Sequence, residues 1–185
     1  MNPKPAILVI DMLNEFVTGE LAFEMTATVI PNLQRLLAAA REAGIPIIYA
    51  SDAHLATDPE IAIWGEHAMA GTPGAEVIPE LAPQEGDHQV RSRTYSAFHD
   101  TDMDSLLQSL GVDSLIFAGI HTHICVQHSA ADAFFRGYGI AVVDDCVDAF
   151  TPEEHQQGLA YVEKMYGAKL VHTDELLAVW RETAA

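Results

Sequence analysis

The chain has 185 residues, 49% hydrophobic and 19% charged, which fits one folded domain with a sizeable core and excludes a disordered segment. Nine Lys and Arg against 27 Asp and Glu give a formal net charge of −18, a balance that excludes a nucleic-acid partner, since that needs clustered cations. Every apolar run is too short to span a membrane, and two cysteines, Cys125 and Cys146, with no secretory leader predict free thiols in a cytoplasmic protein.

Pro5 to Ile10 (PAILVI) is a short, unbroken apolar run ending at Asp11, the pattern of a buried parallel strand. A helix is expected from about Met25 to Glu42. Val29, Leu33, Leu36, Leu37 and Ala40 share its apolar stripe, Pro31 sits where its regular part begins, and Gly44 caps it. Ile45 to Ala50 reads as the second strand, ending in Ser51-Asp52. From 52 to 86 periodicity fails, and so long a stretch in a compact domain points to a functional loop. Gln89 to Arg93 is expected as a strand at the edge of a site, and Asp102 to Leu110 as a helix begun by Thr101 and ended by Gly111. Leu115 to Ile120 is another buried strand. A polar turn, His121-Thr122-His123, leads to Cys125 and then to a helix carrying Val126, Ala130, Ala131, Ala133 and Phe134, closed by Gly137. Ile140 to Val143 is a strand ending in Asp144-Asp145. Thr151-Pro152-Glu153-Glu154 starts a helix to about Tyr166, Ala168 to Val171 is a last strand, and Thr173 to Arg181 a terminal helix. This alternation predicts an α/β fold: one domain over 1–185, a three-layer α/β/α sandwich around a mainly parallel, doubly wound sheet.

The chemistry gathers at strand ends. Asp11, Asp52 and Cys125 follow three of the strands, and in a parallel sheet those ends converge on one edge, where ligands bind. A cysteine at a strand-to-helix turn has its sulfur at a helix N-terminus, which lowers the thiol pKa, and Asp11 offers a base for it. Asp52-x-His54 with His67 offers one carboxylate and two imidazoles, a donor set for Zn²⁺, Fe²⁺ or Mn²⁺, with Glu60 a candidate fourth ligand. His121, His123 and His128 are not read as ligands, because a helix spreads them in different directions. His121 instead supplies its backbone N–H, which with that of Cys125 forms an oxyanion hole. Cys146 is expected in packing, and Asp144 and Asp145 as caps or turn formers.

Several ordered segments resemble one family. Leu8-Val9-Ile10-Asp11-Met12-Leu13-Asn14-Glu15-Phe16 resembles a strand followed by D-x-Q-N-D-F, with Leu13 and Glu15 as departures. Asp52-Ala53-His54, Trp64-Gly65-Glu66-His67, Gly71-Thr72-Pro73-Gly74-Ala75, Tyr95-Ser96-Ala97-Phe98, Thr101-Asp102-Met103-Asp104 and Gly119-Ile120-His121-Thr122-His123-Ile124-Cys125-Val126 follow in the same order. The chain thus resembles the isochorismatase-like cysteine hydrolases, and among them the nicotinamidase-related amidases. The resemblance implies Cys125 as nucleophile, Asp11 as its proton partner, and a cis peptide at Ile120–His121 that presents the His121 N–H. It implies Phe16 and Trp64, with Ile120, as walls around a flat substrate, and a metal on Asp52, His54 and His67. It also implies a homo-oligomer acting on a small amide through a thioester.

One departure concerns the family's lysine, which in direct register falls on Ser92, between Arg91 and Arg93; no lysine lies between Lys4 and Lys164. Arg91 is taken as the substitute cation, turned inward by a bulge or register shift. Two alternatives stay open: an isochorismatase-type vinyl-ether hydrolase, and a non-catalytic small-molecule binder on the same fold.

Overall fold

The computed structural model describes residues 3–184, so the expected domain is seen without its residues 1, 2 and 185. In chain order it holds β1 (Pro5–Ile10), α1 (Asn14–Val17), α2 (Val29–Glu42), β2 (Ile47–Asp52), α3 (Ile61–Trp64), β3 (His88–Ser92) and α4 (Met103–Leu110). Then come β4 (Ser114–Ile120), α5 (Gln127–Phe135), β5 (Gly139–Asp148), α6 (Pro152–Tyr166), β6 (Lys169–Val171) and α7 (Thr173–Ala184). The six strands form one sheet in the order β3-β2-β1-β4-β5-β6, and every pairing is parallel. The chain winds outward from β1 in one direction and from β4 in the other, which makes the β1/β4 boundary the switch point where this fold opens a crevice.

Each face of the sheet is sealed by helices that use their apolar stripe. On one side Leu33, Leu36 and Leu37 of α2 and Leu177 and Trp180 of α7 pack on Ile7, Val9, Ile47 and Tyr49. On the other, Met103 and Leu107 of α4, Val126, Ala130 and Ala133 around α5, and Leu159 and Val162 of α6 pack on Leu8, Ile48, Leu115 and Phe117. Among the described residues no helix is long and apolar enough to cross a membrane.

Four local features differ from the sequence expectation. Helix α2 begins at Val29 rather than Met25, because Pro31 lacks an N–H and its ring is tolerated only in a first turn. Strand β2 begins after Pro46, whose carbonyl accepts from Ile7 N at 2.9 Å. The stretch from 52 to 86 is built, not slack: it holds α3 and two short 3₁₀ turns, and β-bridges pin it at Leu13–Val77 and His54–Met69. Strand β5 runs on to Asp148. Its register against β4 jumps from Phe117–Val142 to Gly119–Val147, so an irregularity carries the strand past the acidic pair. Gly119 makes that passage possible: its φ is +104°, and a Cβ there would lie 2.0 Å from the Ile10 carbonyl oxygen. Within β5, Asp145 accepts from Thr173 N (2.9 Å) and Oγ1 (2.8 Å) and so caps α7, while Cys146 is fully buried against Thr173.

Candidate active site

A narrow cleft opens at the carboxyl ends of the central strands. Asp11 follows β1 with φ +50°, a left-handed conformation that aspartate tolerates better than most residues. Its Oδ1 accepts from Asp52 N at 2.9 Å. Donor atoms of Asp11, Asp52 and Cys125 all lie within 4.8 Å of one another, and all three residues are buried.

Cys125 sits in a wide, π-type turn, Thr122–Val126, between β4 and α5. The His121 carbonyl closes this turn, accepting from both Ile124 N (3.0 Å) and Val126 N (3.2 Å). The Ile120–His121 peptide is cis. The thiol pKa moves opposite to the helix-terminus expectation: burial, then the charges of Asp11, Asp52 and Glu60, push it up. Burial, then Asp52, likewise raises the Asp11 carboxyl well above the usual carboxylate range.

Beside this pair the structure brings Asp52, His54 and His67 together and adds Glu60. Donor atoms of the four lie within 4.8 Å of one another, all buried. His54 Nδ1 donates to Asp58 Oδ2 (3.3 Å) and His67 Nδ1 donates to the Gly65 carbonyl (2.8 Å), tautomers that these acceptors dictate. Each ring thus leaves Nε2 as the nitrogen that could ligate a cation, with the proton on His54 Nε2 displaced as the cation binds. His54 Nε2 lies 3.4 Å from Asp52 Oδ2 and 3.9 Å from Glu60 Oε2 without a hydrogen bond, and Glu60 Oε1 is buried without a partner. These unpaired atoms, with two imidazoles and two carboxylates, fit a divalent metal. Charge says the same. Burial works against protonation of His54, but Asp52, Asp58 and Glu60 hold its pKa at about 9, while burial and Asp52 push Glu60 up to about 7.

The cleft walls are aromatic. Phe16 from α1 packs against His67 and His121, with ring centroids at 6.0 and 6.1 Å. Trp64 at the end of α3 donates to Tyr95 Oη at 3.0 Å and lies 6.0 Å from the Phe150 ring. Ile120 lines the base. Phe150 and Tyr95 were not expected in the site. Phe150 arrives because β5 extends to Asp148; Tyr95 carried a signal in the Tyr95-Ser96-Ala97-Phe98 segment.

Arg91 does not reach the cleft. Strand β3 pairs with β2 in unbroken register from Ile48–His88 to Asp52–Ser92, so no bulge reverses its faces. Ser92 is buried and donates to Asp52 Oδ1 at 3.0 Å, while Arg91 is exposed on the strand's other face. Arg93 turns to Asp58, with Nε at 3.0 and 3.1 Å from its two oxygens. No Lys or Arg is among the residues that line the cleft. His123 and His128 also stay apart from the thiol: His123 is half-buried with Nε2 3.8 Å from Glu154, and exposed His128 donates to the Ile124 carbonyl.

An α/β sandwich with an acid–thiol pair at its switch point defines a hydrolase-like site, and residues 5–175 match the isochorismatase domain. The chain belongs to the isochorismatase family. It is 39% identical to the crystal structure of N-carbamoylsarcosine amidase from Thermoplasma acidophilum, with a TM-score of 0.87 over 92% of this chain and 97% of that one. It is 33% identical to a ureidoacrylate amidohydrolase of Agrobacterium fabrum over 88% of this chain and 84% of the relative. A pyrazinamidase of Pyrococcus horikoshii solved in complex with zinc is 26% identical, with a TM-score of 0.84 over 92% of this chain and 99% of that one. Hydrolases acting on amides are thus among its relatives.

Proposed function

We propose that this protein is a cysteine-dependent amidohydrolase that cleaves the carboxamide C–N bond of a small, flat molecule, in the manner of a nicotinamidase. The observation that carries the reading is the buried Asp11–Cys125 pair, with donor atoms within 4.8 Å of each other, in an aromatic cleft. The substrate ring lies between the Phe16 and Trp64 walls with its carbonyl carbon at Sγ. Asp11 takes the thiol proton as sulfur attacks that carbon. The tetrahedral oxyanion accepts from the backbone N–H groups of His121 and Cys125. Asp11 returns the proton to the departing nitrogen, ammonia leaves, and a thioester remains. Water then attacks the thioester, passing its proton through Asp11 to the sulfur, and the carboxylic acid departs. Asp52, His54, His67 and Glu60 would hold a divalent metal, zinc first among the candidates, which when bound supplies a Lewis acid and positive charge beside the cleft. The same reading takes the protein as a single cytoplasmic domain that assembles as a homo-oligomer, and sedimentation of the purified chain tests the assembly.

Ammonia release across a panel of small amides tests the activity. Wild type releases ammonia from at least one of them and Cys125→Ala from none, a drop of at least about a thousandfold, on the scale of losing a nucleophile. A wild type silent on the whole panel sinks the reading. That result favours the binder alternative, which one observation supports: the cleft lacks the cation that would poise its thiol.

A further inference from the structure

The cleft as it stands has no room for a ring. Its internal volume is about 30 Å³, space for about two waters, whereas pockets that enclose small molecules run to roughly 300 Å³ or more. A wall has to move before a ligand enters. Most of the walls are fixed. Asp11, Ile120 and Cys125 stand at the ends of β1 and β4 and in the turn that the His121 carbonyl closes. Asp52, Glu60 and His67 belong to the donor cluster, and Trp64 is bonded to Tyr95.

Leu21 of the lining comes from residues 18–28, the chain between α1 and α2. Leu21, Phe23 and Met25 are half-buried while Ala22, Glu24 and Thr26 are exposed, the alternation of an extended chain laid over an apolar surface. The Phe23 ring lies 4.7 Å from that of His121 and 5.6 Å from that of Phe150, and both of those rings line the cleft. The two ends of the segment are held. Helix α1 is pinned by the Leu13–Val77 bridge and by Asn14 Nδ2, which donates to the Pro73 carbonyl at 2.9 Å, and α2 packs on the sheet. Between these ends, among the described residues, one hydrogen bond joins the segment to the body of the fold: Thr26 N donates to Asp148 Oδ2 at 2.7 Å. Its other bonds are internal or reach only residues 14 and 15 and the first turn of α2.

Asp148 is suited to hold such a segment. It is 7% exposed, pairs with Ile120 at the end of β5, and its Oδ1 accepts from Ala149 N at 2.8 Å. A fixed carboxylate makes a strong bond to a backbone N–H, yet one bond and one ring contact are little to break, which places this segment at the low-stability end of the fold.

We propose that residues 18–28 form a strap that closes the cleft, with Asp148 as its latch and Phe23 as its seal, and that molecules larger than water reach Cys125 only when the strap lifts. The inference concerns access to the thiol. It holds for an amidohydrolase and for a binder alike, so silence of the wild type on every amide leaves it standing.

Two reagents of different size test it at Cys125, with Cys125→Ala as the blank. N-ethylmaleimide needs the strap open. Hydrogen peroxide, scarcely larger than water, converts the thiolate to a sulfenic acid inside the closed cleft. Asp148→Ala removes the acceptor, Thr26→Pro removes the donor from the other side, and Phe23→Ala removes the seal. Each speeds the maleimide reaction at least about tenfold, the scale of one charge-assisted hydrogen bond, and leaves the peroxide reaction within about twofold of wild type. Asp148→Ala combined with Thr26→Pro is no more than about twofold faster than either alone, because both break the same bond. Leu107→Ala, which loosens the core on the other face of the sheet, keeps the wild-type maleimide rate. Hydrogen exchange gives a second readout: the Thr26 amide exchanges at least about tenfold faster in Asp148→Ala, with the amides of β1 and β4 unchanged. A wild-type maleimide rate in all three variants overturns the proposal, as does a Thr26 amide that Asp148→Ala leaves unaltered. So does equal acceleration of both reagents, which places the change in the thiol and not in its access. Equal acceleration by Leu107→Ala overturns it too, since the opening is then global unfolding.

Discussion

Ser92→Lys puts an ammonium at the position where the family resemblance expects one, and the structure sets the size of the effect. Ser92 Oγ lies 3.0 Å from Asp52 Oδ1, and Asp52 shares a 4.8 Å neighbourhood with Asp11 and Cys125. An ammonium paired with Asp52 at roughly 6 Å from Sγ, at an effective dielectric of about 20, stabilises the thiolate by about 3 kcal/mol, which is about 2 pKa units downward. The direction opposes the present one, in which burial and three carboxylates push the thiol up. At a pH below both values the thiolate fraction rises about a hundredfold, but a less basic thiolate is a weaker nucleophile, so alkylation speeds up about tenfold. The assay is the pH profile of inactivation by iodoacetamide, with Cys125→Ala as the blank and Ser92→Met as an uncharged side chain of similar length. The profile of Ser92→Lys should move to lower pH by about 2 units, and that of Ser92→Met should stay with wild type. A folded Ser92→Lys protein whose profile does not move refutes the reasoning, because the Coulomb term would then be screened or directed elsewhere.

Two further predictions follow from the neighbouring geometry. Asp58→Asn removes the charged acceptor that orients His54 and should weaken zinc binding 10- to 100-fold in chelator competition; unchanged affinity would show that His54 is not held for a metal. Gly119→Ala drives a Cβ to 2.0 Å from the Ile10 carbonyl oxygen at φ +104°, and should cost more than about 4 kcal/mol in denaturant unfolding; a wild-type midpoint would mean β1 and β4 can part without cost.

The residues that were legible in the sequence are those whose position depends on a short local pattern. Asp11 and Asp52 end apolar runs, and a parallel sheet carries such ends to one edge whatever the loops do. Cys125 reads the same way through its strand, turn and helix. Phe150 did not, because Val143-Asp144-Asp145-Cys146 looks like a strand end until β4 shows the register in which β5 continues to Asp148. The direction of the Cys125 shift was missed for a related reason. A helix terminus is visible in the sequence around the cysteine, but the opposing carboxylates come from segments far from it in the chain. The ring of His121 draws its contacts from Phe23 and Phe150 in the same way.

Arg91 and Arg93 bracket the place where a cation was expected, and their fates explain one another. Regular pairing of β3 with β2 sends Ser92 inward, so its neighbours point out. From there Arg93 can reach Asp58 but not the thiol. Asp58 in turn accepts from His54 Nδ1, and Ser92 donates to Asp52, so this edge of the sheet supports two of the four donors proposed for the metal. With a divalent cation bound in place of the His54 proton, the two carboxylates would balance its charge. With that balance struck, Asp11 is the remaining carboxylate at the thiol, and the proton of Cys125 has one acceptor. The strand on which the family resemblance places a lysine is here bonded to the donor cluster through Ser92, and the positive charge of the site would rest with the metal proposed for that cluster.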